Sequence, residues 1–311
     1  MCDRSRREFL IGSAAAGLLA ARPDLLLGQT SAKSADMAVT RWSGTKPAAD
    51  AAMKDVAVKL TEQAINALGG MKRFVSRGDV VWVKPNIGWD RTPETAANTN
   101  PDVVATIIRL CFDAGAKTVK VGDHPCDVAE KTYVASGIAN AAREAGAKVV
   151  FLDKTRFKEA KIGGELVKTI PVYPEIIESD LVINVPIVKH HRLAGLTMCM
   201  KNYMGVIDKR NTFHQAIAPS LADLTRFMKP RLCILDATRM LKANGPKGGK
   251  LEDVETKWML AAGVDIVALD AWGAEAIGRK PTDIESIVKG QEYGLGKIDY
   301  RSLALRELAV S

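Results

Sequence analysis

Asp79-Val80-Val81-Trp82-Val83 runs directly into Lys84-Pro85-Asn86, and the segment 101–114 follows with Pro101 in its first turn. The first stretch is short, apolar and β-branched, as a strand covered on both faces must be. The later segment reads as a helix, because proline is tolerated in a first turn, where no intrahelical N–H bond is needed. The same unit then recurs. Thr118-Val119-Lys120-Val121 ends in Gly122-Asp123-His124-Pro125, a helix is expected over 131–145 with Gly146 after it, and 148–152 reads as a further strand. This cadence of strand, polar loop and helix predicts an α/β fold, a mostly parallel sheet with helices on both faces, in a single domain. Upstream, Val56, Leu60, Ala64, Ile65 and Leu68 recur at spacings of three and four before Gly69-Gly70, which predicts a helix over 51–68 packed on the core. Downstream, strands are expected at 166–172, 180–185 and 231–235, and helices at 264–277, 284–289 and 300–308.

Composition agrees with a folded chain. Hydrophobic residues make up 47% and charged residues 26% of the 311, which excludes disordered, collagen-like and coiled-coil classes. The net charge of +8 favours anionic partners, but the basic residues are scattered without long runs, so nucleic acid is not an expected partner. Cys111, Cys126, Cys199 and Cys233 lie at least fifteen residues apart, which leaves no zinc or ferredoxin-type iron–sulfur spacing.

At the N-terminus, Ser5-Arg6-Arg7-Glu8-Phe9-Leu10 precedes an apolar stretch to Ala21 and resembles a twin-arginine translocation signal. The apolar stretch of thirteen residues from Phe9 is shorter than the roughly 20 that a membrane-spanning helix needs. Residues 1–35 are therefore read as signal and linker and 36–311 as the domain, with cleavage after Ala21 or near Thr30-Ser31-Ala32. The resemblance implies the Tat translocase as a partner, an extracytoplasmic or periplasmic location, no permanent membrane span, and a better chance of a bound cofactor, a divalent metal included. The thiols are expected to be mostly buried, with at most one disulfide.

In open α/β sheets ligands bind beyond the carboxyl ends of the strands. Those positions are polar in this chain: Lys84 and Asn86; Asp123 and His124; Lys189, His190 and His191; and Asp236, with Asn244 close behind. All four histidines, His124, His190, His191 and His214, fall within 91 residues. Adjacent side chains on a strand point to opposite sides, so only one of His190 and His191 is expected in a site. If the chain is helical from Leu196 onward, Thr197 and Lys201 share a face, and free N–H groups near Gly195 would attract an anion. Asn244-Gly245-Pro246-Lys247-Gly248-Gly249-Lys250 lacks the first Gly and the Ser or Thr of a phosphate loop, and no dinucleotide, serine-hydrolase or zinc-protease motif occurs.

Lys84-Pro85-Asn86, Gly122-Asp123, the run from Pro186 to His191, Thr197 with Lys201-Asn202-Tyr203-Met204-Gly205, His214, Asp236, Gly245-Pro246 and Ala268-Leu269-Asp270-Ala271 together resemble the family called domain of unknown function 362, over about 79–280. Some members carry a ferredoxin domain, for which this chain has no cysteine pattern. Where members tend to show Lys-Thr-His, this chain has Lys189-His190-His191, so His191 is the matching position.

Two functional readings arise. In the first, an exported enzyme holds a small carboxylate or phosphate with Lys84, Asn86, Lys189, Thr197 and Asn202. His191, His214 and Lys201 are then its catalytic groups, and Asp123, Asp236 or Asp270 orients an imidazole or holds a divalent metal. Proton abstraction beside a carboxylate and metal-assisted hydrolysis both suit these groups. In the second, the same residues capture a metal or anion in a periplasmic binding or redox-accessory protein without turnover.

Overall fold

The computed structural model of the chain describes residues 34–45, 47 and 50–311, with 50–52 described by their backbone alone. The twin-arginine segment and Cys2 lie outside these residues. Ser34–Ser311 form one unit. Along it run β1 (Met37–Trp42), β2 (Val80–Pro85), β3 (Thr118–Val121), β4 (Lys148–Val149), β5 (Lys158–Lys161) and β6 (Thr169–Val172). They are followed by β7 (Leu181–Val185), β8 (Ile187–His191), β9 (Gly195–Thr197), β10 (Leu232–Leu241), β11 (Val254–Gly263) and β12 (Leu305–Val310).

The main sheet has the order β12-β1-β11-β10-β7-β2-β3-β4, and β8 with β9 branches from the far half of β10. The succession β10-β7-β2-β3-β4 is parallel throughout, whereas β11 is antiparallel to both β10 and β1. Side chains alternate across the sheet as the strand period requires. Val81 and Val83 enter a core beneath the helices Asp50–Ala67, Pro101–Asp113 and Ile138–Glu144, while Trp82 enters a second core with Ile217–Met228 and Ile266–Ala276 on the opposite face. Both faces are thus covered, and the α/β class holds. From β2 the chain steps outward through β3 to β4, and then returns to lay β7 on the other side of β2. That reversal opens a crevice at the carboxyl ends of β2 and β7, where such sheets bind ligands.

Several expected elements differ. The segment 300–308 is not a helix: Tyr300–Ser302 makes a single tight turn, and Leu305–Val310 pairs in parallel with β1. Leu305 and Leu308 are spaced as on a helix, but the free edge of β1 supplies backbone partners that override that local signal. The helix expected over 131–145 is two, Ala129–Ala135 and Ile138–Glu144, broken where Gly137 adopts φ 72°. The strand expected at 166–172 shortens to β6, which pairs with β5 in a separate hairpin and adds one isolated bridge from Val172 to Ile207. The strand expected over 148–152 shortens to β4, and that expected over 231–235 extends as β10 to Leu241. Leu196 does not begin a helix. It lies in β9, and the helix that follows is the single turn Cys199–Asn202. The strands β1 and β11 were not expected at all. No helix among the described residues is long and apolar enough to cross a membrane, and the four described cysteines are free, with only Cys126 exposed.

Candidate functional site

Strand alternation turns Lys84 to the same face as Trp82, and its side chain is fully buried. Its Nζ lies 2.6 Å from Asp123 Oδ1 and also donates to Pro85 O at 2.9 Å and Asn202 Oδ1 at 3.1 Å. Burial pulls the Lys84 pKa down and the Asp123 carboxylate opposes it. Asp123, just beyond β3, also ties the loops together, since its Oδ2 accepts from Ile87 N at 2.7 Å and its Oδ1 from His124 N at 2.9 Å. Asn202 is the hub. Its Oδ1 takes Lys84 and Asn86, and its Nδ2 donates to Lys84 O and Asn184 Oδ1. Asn86 Oδ1 in turn accepts from Lys189 Nζ at 2.9 Å, and Ala97 O accepts from the same amine.

This network forms the floor of a cleft. Lys84, Asn86, Asp123, Lys189, His191, Thr197, Lys201 and Asn202 all line it, together with His124, Cys126, Arg210 and Gly205. Its water-accessible interior is about 70 Å³, room for a few waters or one small oxyanion. A wider outer cleft shares His191, Lys201, Cys126 and Arg210 with it and adds His214. The sequence reasoning did not anticipate Arg210, Cys126 or Gly205 as lining groups. Arg210 begins a short turn away from any strand end, Cys126 lies further along the loop beyond β3, and Gly205 has no side chain to signal a role.

The electrostatics of the cleft are unbalanced. Lys84 has Asp123, but among the described residues no carboxylate lies within ion-pairing distance of Lys189, Lys201 or Arg210. Lys189 has the two carbonyl acceptors already named, Lys201 Nζ meets only Met204 Sδ at 3.4 Å, and Arg210 donates to the carbonyls of His124 and Pro125. Burial, reinforced by neighbouring cations, lowers Lys189 to about 7 and Lys201 to about 8.

His191 has a fixed tautomer. Its Nδ1 accepts the backbone N–H groups of Leu193 at 3.2 Å and Ala194 at 3.1 Å, so the ring proton of the neutral form is on Nε2. Burial first, and then Lys201 and Lys189, lower its pKa to about 3. His191 therefore stands in the cleft as a neutral N–H donor. His190, on the other side of β8, accepts from Gly245 N at 3.1 Å and does not line the cleft, as alternation requires.

The three aspartates do not come together. Asp236 accepts from Asn100 N at the start of Pro101–Asp113 and from Thr238, while Asp270 accepts from Cys199 N at 2.6 Å and Met200 N at 3.1 Å. Neither lines the cleft. Asp270 also occupies the first N–H groups of the short helix, so the free N–H groups expected near Gly195 are not available to a ligand. Among the described residues no group of three or more His, Cys, Asp or Glu side chains is placed to hold a metal.

Residues 81–275 match the model of a family described as a domain of unknown function (DUF362). The thylakoid-associated protein sll1697 of Synechocystis sp. is 28% identical over 247 residues, which cover 74% of this chain and 73% of that protein. Among solved structures, the lactate racemase apoprotein from Thermoanaerobacterium thermosaccharolyticum aligns with a TM-score of 0.47 at 11% identity over 76% of this chain. The aligned part is 56% of that protein's length.

Proposed function

This chain belongs to the DUF362 family, and on that premise we propose that it is an enzyme that captures a small oxyanion, a carboxylate or a phosphate, in the cleft beyond β2 and β7. One observation carries the reading: Lys189, Lys201 and Arg210 converge on a partly enclosed cleft with no carboxylate of their own. Burying cations without counter-charge is costly, and a bound anion removes that cost. His191 Nε2–H adds a neutral donor, and the floor network holds Lys84 and Asn202 in place beneath the ligand. A capture protein without turnover is favoured by one feature, that His191 is held as a donor and not as a base.

The lysines give the reading a pH signature. A bound anion raises the pKa of Lys189 and Lys201 from about 7 and about 8, so the complex holds protons that the free protein loses as pH rises. Acetate, whose charge is constant there, should bind best below pH ~7 and lose about tenfold in affinity per pH unit for each proton taken up above it. Calorimetric titration at several pH values checks this, and an affinity flat from pH ~6 to ~9 would sink the reading. The same titration of His191→Gln, beside a turnover screen of small organic acids and phosphates, separates the two versions. Turnover lost with affinity kept marks an enzyme, and affinity lost without any turnover marks a capture protein.

The proposed setting is outside the cytoplasm, by way of the Tat translocase, and it is supported by Ser5-Arg6-Arg7-Glu8-Phe9-Leu10. Replacing Arg6 and Arg7 by Lys should leave the protein in the cytoplasmic fraction, and unchanged export of that variant would refute the route.

A further inference from the structure

Away from the floor network the cleft changes character. The inner part has about 70 Å³ of water-accessible space and the outer part about 460 Å³. The first admits an oxyanion and little more, whereas the second is within the size range of small-molecule sites. The two parts meet at His191, Lys201 and Arg210, which line both. An anion held at that seam has the outer cleft in front of any group it carries.

Despite these polar groups, the surface that the outer cleft presents is mostly apolar. Both cations at the seam have a sulfur neighbour: Lys201 Nζ lies 3.4 Å from Met204 Sδ, and Arg210 Nη1 lies 3.6 Å from Cys126 Sγ. A thioether and a thiol are soft groups that pack against carbon and bond water weakly. Further out stands Leu193, a large apolar side chain left 57% exposed. Its backbone N–H donates to His191 Nδ1 at 3.2 Å, so the turn that fixes the His191 ring also fixes the root of Leu193. Trp89 belongs to the same wall, and its ring is held by Lys247, whose Nζ lies 5.5 Å from the centroid. Apolar surface left open beside a charged pocket gains free energy when a ligand's carbon covers it.

We propose that the ligand of this cleft is an amphiphilic anion, a carboxylate or phosphate that carries an apolar group about the size of a phenyl ring. The oxyanion sits at the seam and the apolar group lies in the outer cleft against Met204, Leu193 and Trp89. This rests on the oxyanion reading of the same cleft and narrows its ligand class. The division of labour is the usual one for small molecules, in which an apolar wall supplies contact area and a few charged groups fix orientation.

Two pairs of probes isolate the apolar group, acetate with phenylacetate and methyl phosphate with benzyl phosphate, since each pair differs by one phenyl group on the same methyl. Calorimetric titration of the full-length protein is made at pH ~6.5, below the pKa of both Lys189 and Lys201. The pair that binds more tightly identifies the head. Within it the phenyl compound is expected to bind about tenfold or more tightly than its parent, because a single methylene in an apolar pocket is already worth about tenfold. 2-Phenylethanol, which has the body without the charge, should bind at least about tenfold more weakly than the phenyl anion. In Leu193→Ser the advantage of the phenyl compound should fall by about threefold or more. If that variant fails to fold, the wild-type comparisons decide alone. Phenyl compounds no tighter than their parents, 2-phenylethanol as tight as the phenyl anion, or an advantage unchanged in Leu193→Ser overturns the proposal, and the oxyanion reading stands so long as acetate or methyl phosphate binds. Binding of none of the four anions overturns both.

Discussion

Asp123→Ala should lower the stability of the folded protein by about 3–5 kcal/mol, the usual loss when one partner of a buried ion pair is removed. Lys84 would be left fully buried, with only the carbonyls of Pro85 and Asn202 as acceptors. The Ile87 N–H would also lose its acceptor, while the His124 N–H would keep only Gly205 O. The loss has a direction in pH. Burial already holds Lys84 below its ordinary 10.5, and without Asp123 its pKa must fall further. In the range between its folded pKa and 10.5 the unfolded chain binds the extra proton, so the stability of the variant should rise with pH and its deficit relative to the wild type should shrink. Adding Lys84→Met removes the unpaired charge, and the double variant should be more stable than Asp123→Ala alone. Chemical denaturation of the three proteins at two pH values checks this, and a single-variant loss under about 1 kcal/mol would show that the pair does not hold the floor of the cleft.

Gly205→Ala is expected to be comparably damaging, by about 3 kcal/mol or more, although it adds only a methyl group. A Cβ at Gly205 would stand 1.7 Å from Asp123 Oδ1 and 2.6 Å from Lys84 Nζ. The methyl can be accommodated only if the ion pair opens, so stability and anion binding should fail together. Gly88→Ala provides the contrast, because a Cβ there meets nothing closer than Asn86 Oδ1 at 3.5 Å. Combining Gly205→Ala with Asp123→Ala should cost less than the sum of the two, since the second change removes the carboxylate that the first collides with most closely and frees the Lys84 amine to shift. Additive losses would mean that Gly205 acts elsewhere.

These two sites show where sequence reading reaches and where it stops. The apolar runs 79–83 and 118–121, each followed by polar residues and a helix, were enough to place a sheet and the rim at its carboxyl ends. Nine of the residues singled out on that basis, Lys84, Asn86, Asp123, His124, Lys189, His191, Thr197, Lys201 and Asn202, line one cleft. Asp236 and Asp270 do not, because their carboxylates are spent on backbone N–H groups 136 and 71 positions away in the chain. Nothing local distinguishes a carboxylate facing a ligand from one that clasps a distant loop. The edge strand Leu305–Val310 was missed for a related reason, since its partner β1 lies at the opposite end of the chain.

What the sequence by itself determined is the class of fold, the rim, and that only one of His190 and His191 faces it, because these follow from the two-residue period of a strand and the order of strand, loop and helix. The tertiary structure alone decided which charges are paired, which tautomer His191 holds, and that Arg210 and Gly205 belong to the site. Those properties depend on burial and on single hydrogen bonds between distant segments, such as His124 to Ile207 and Lys84 to Asn202, and no local pattern encodes such a bond.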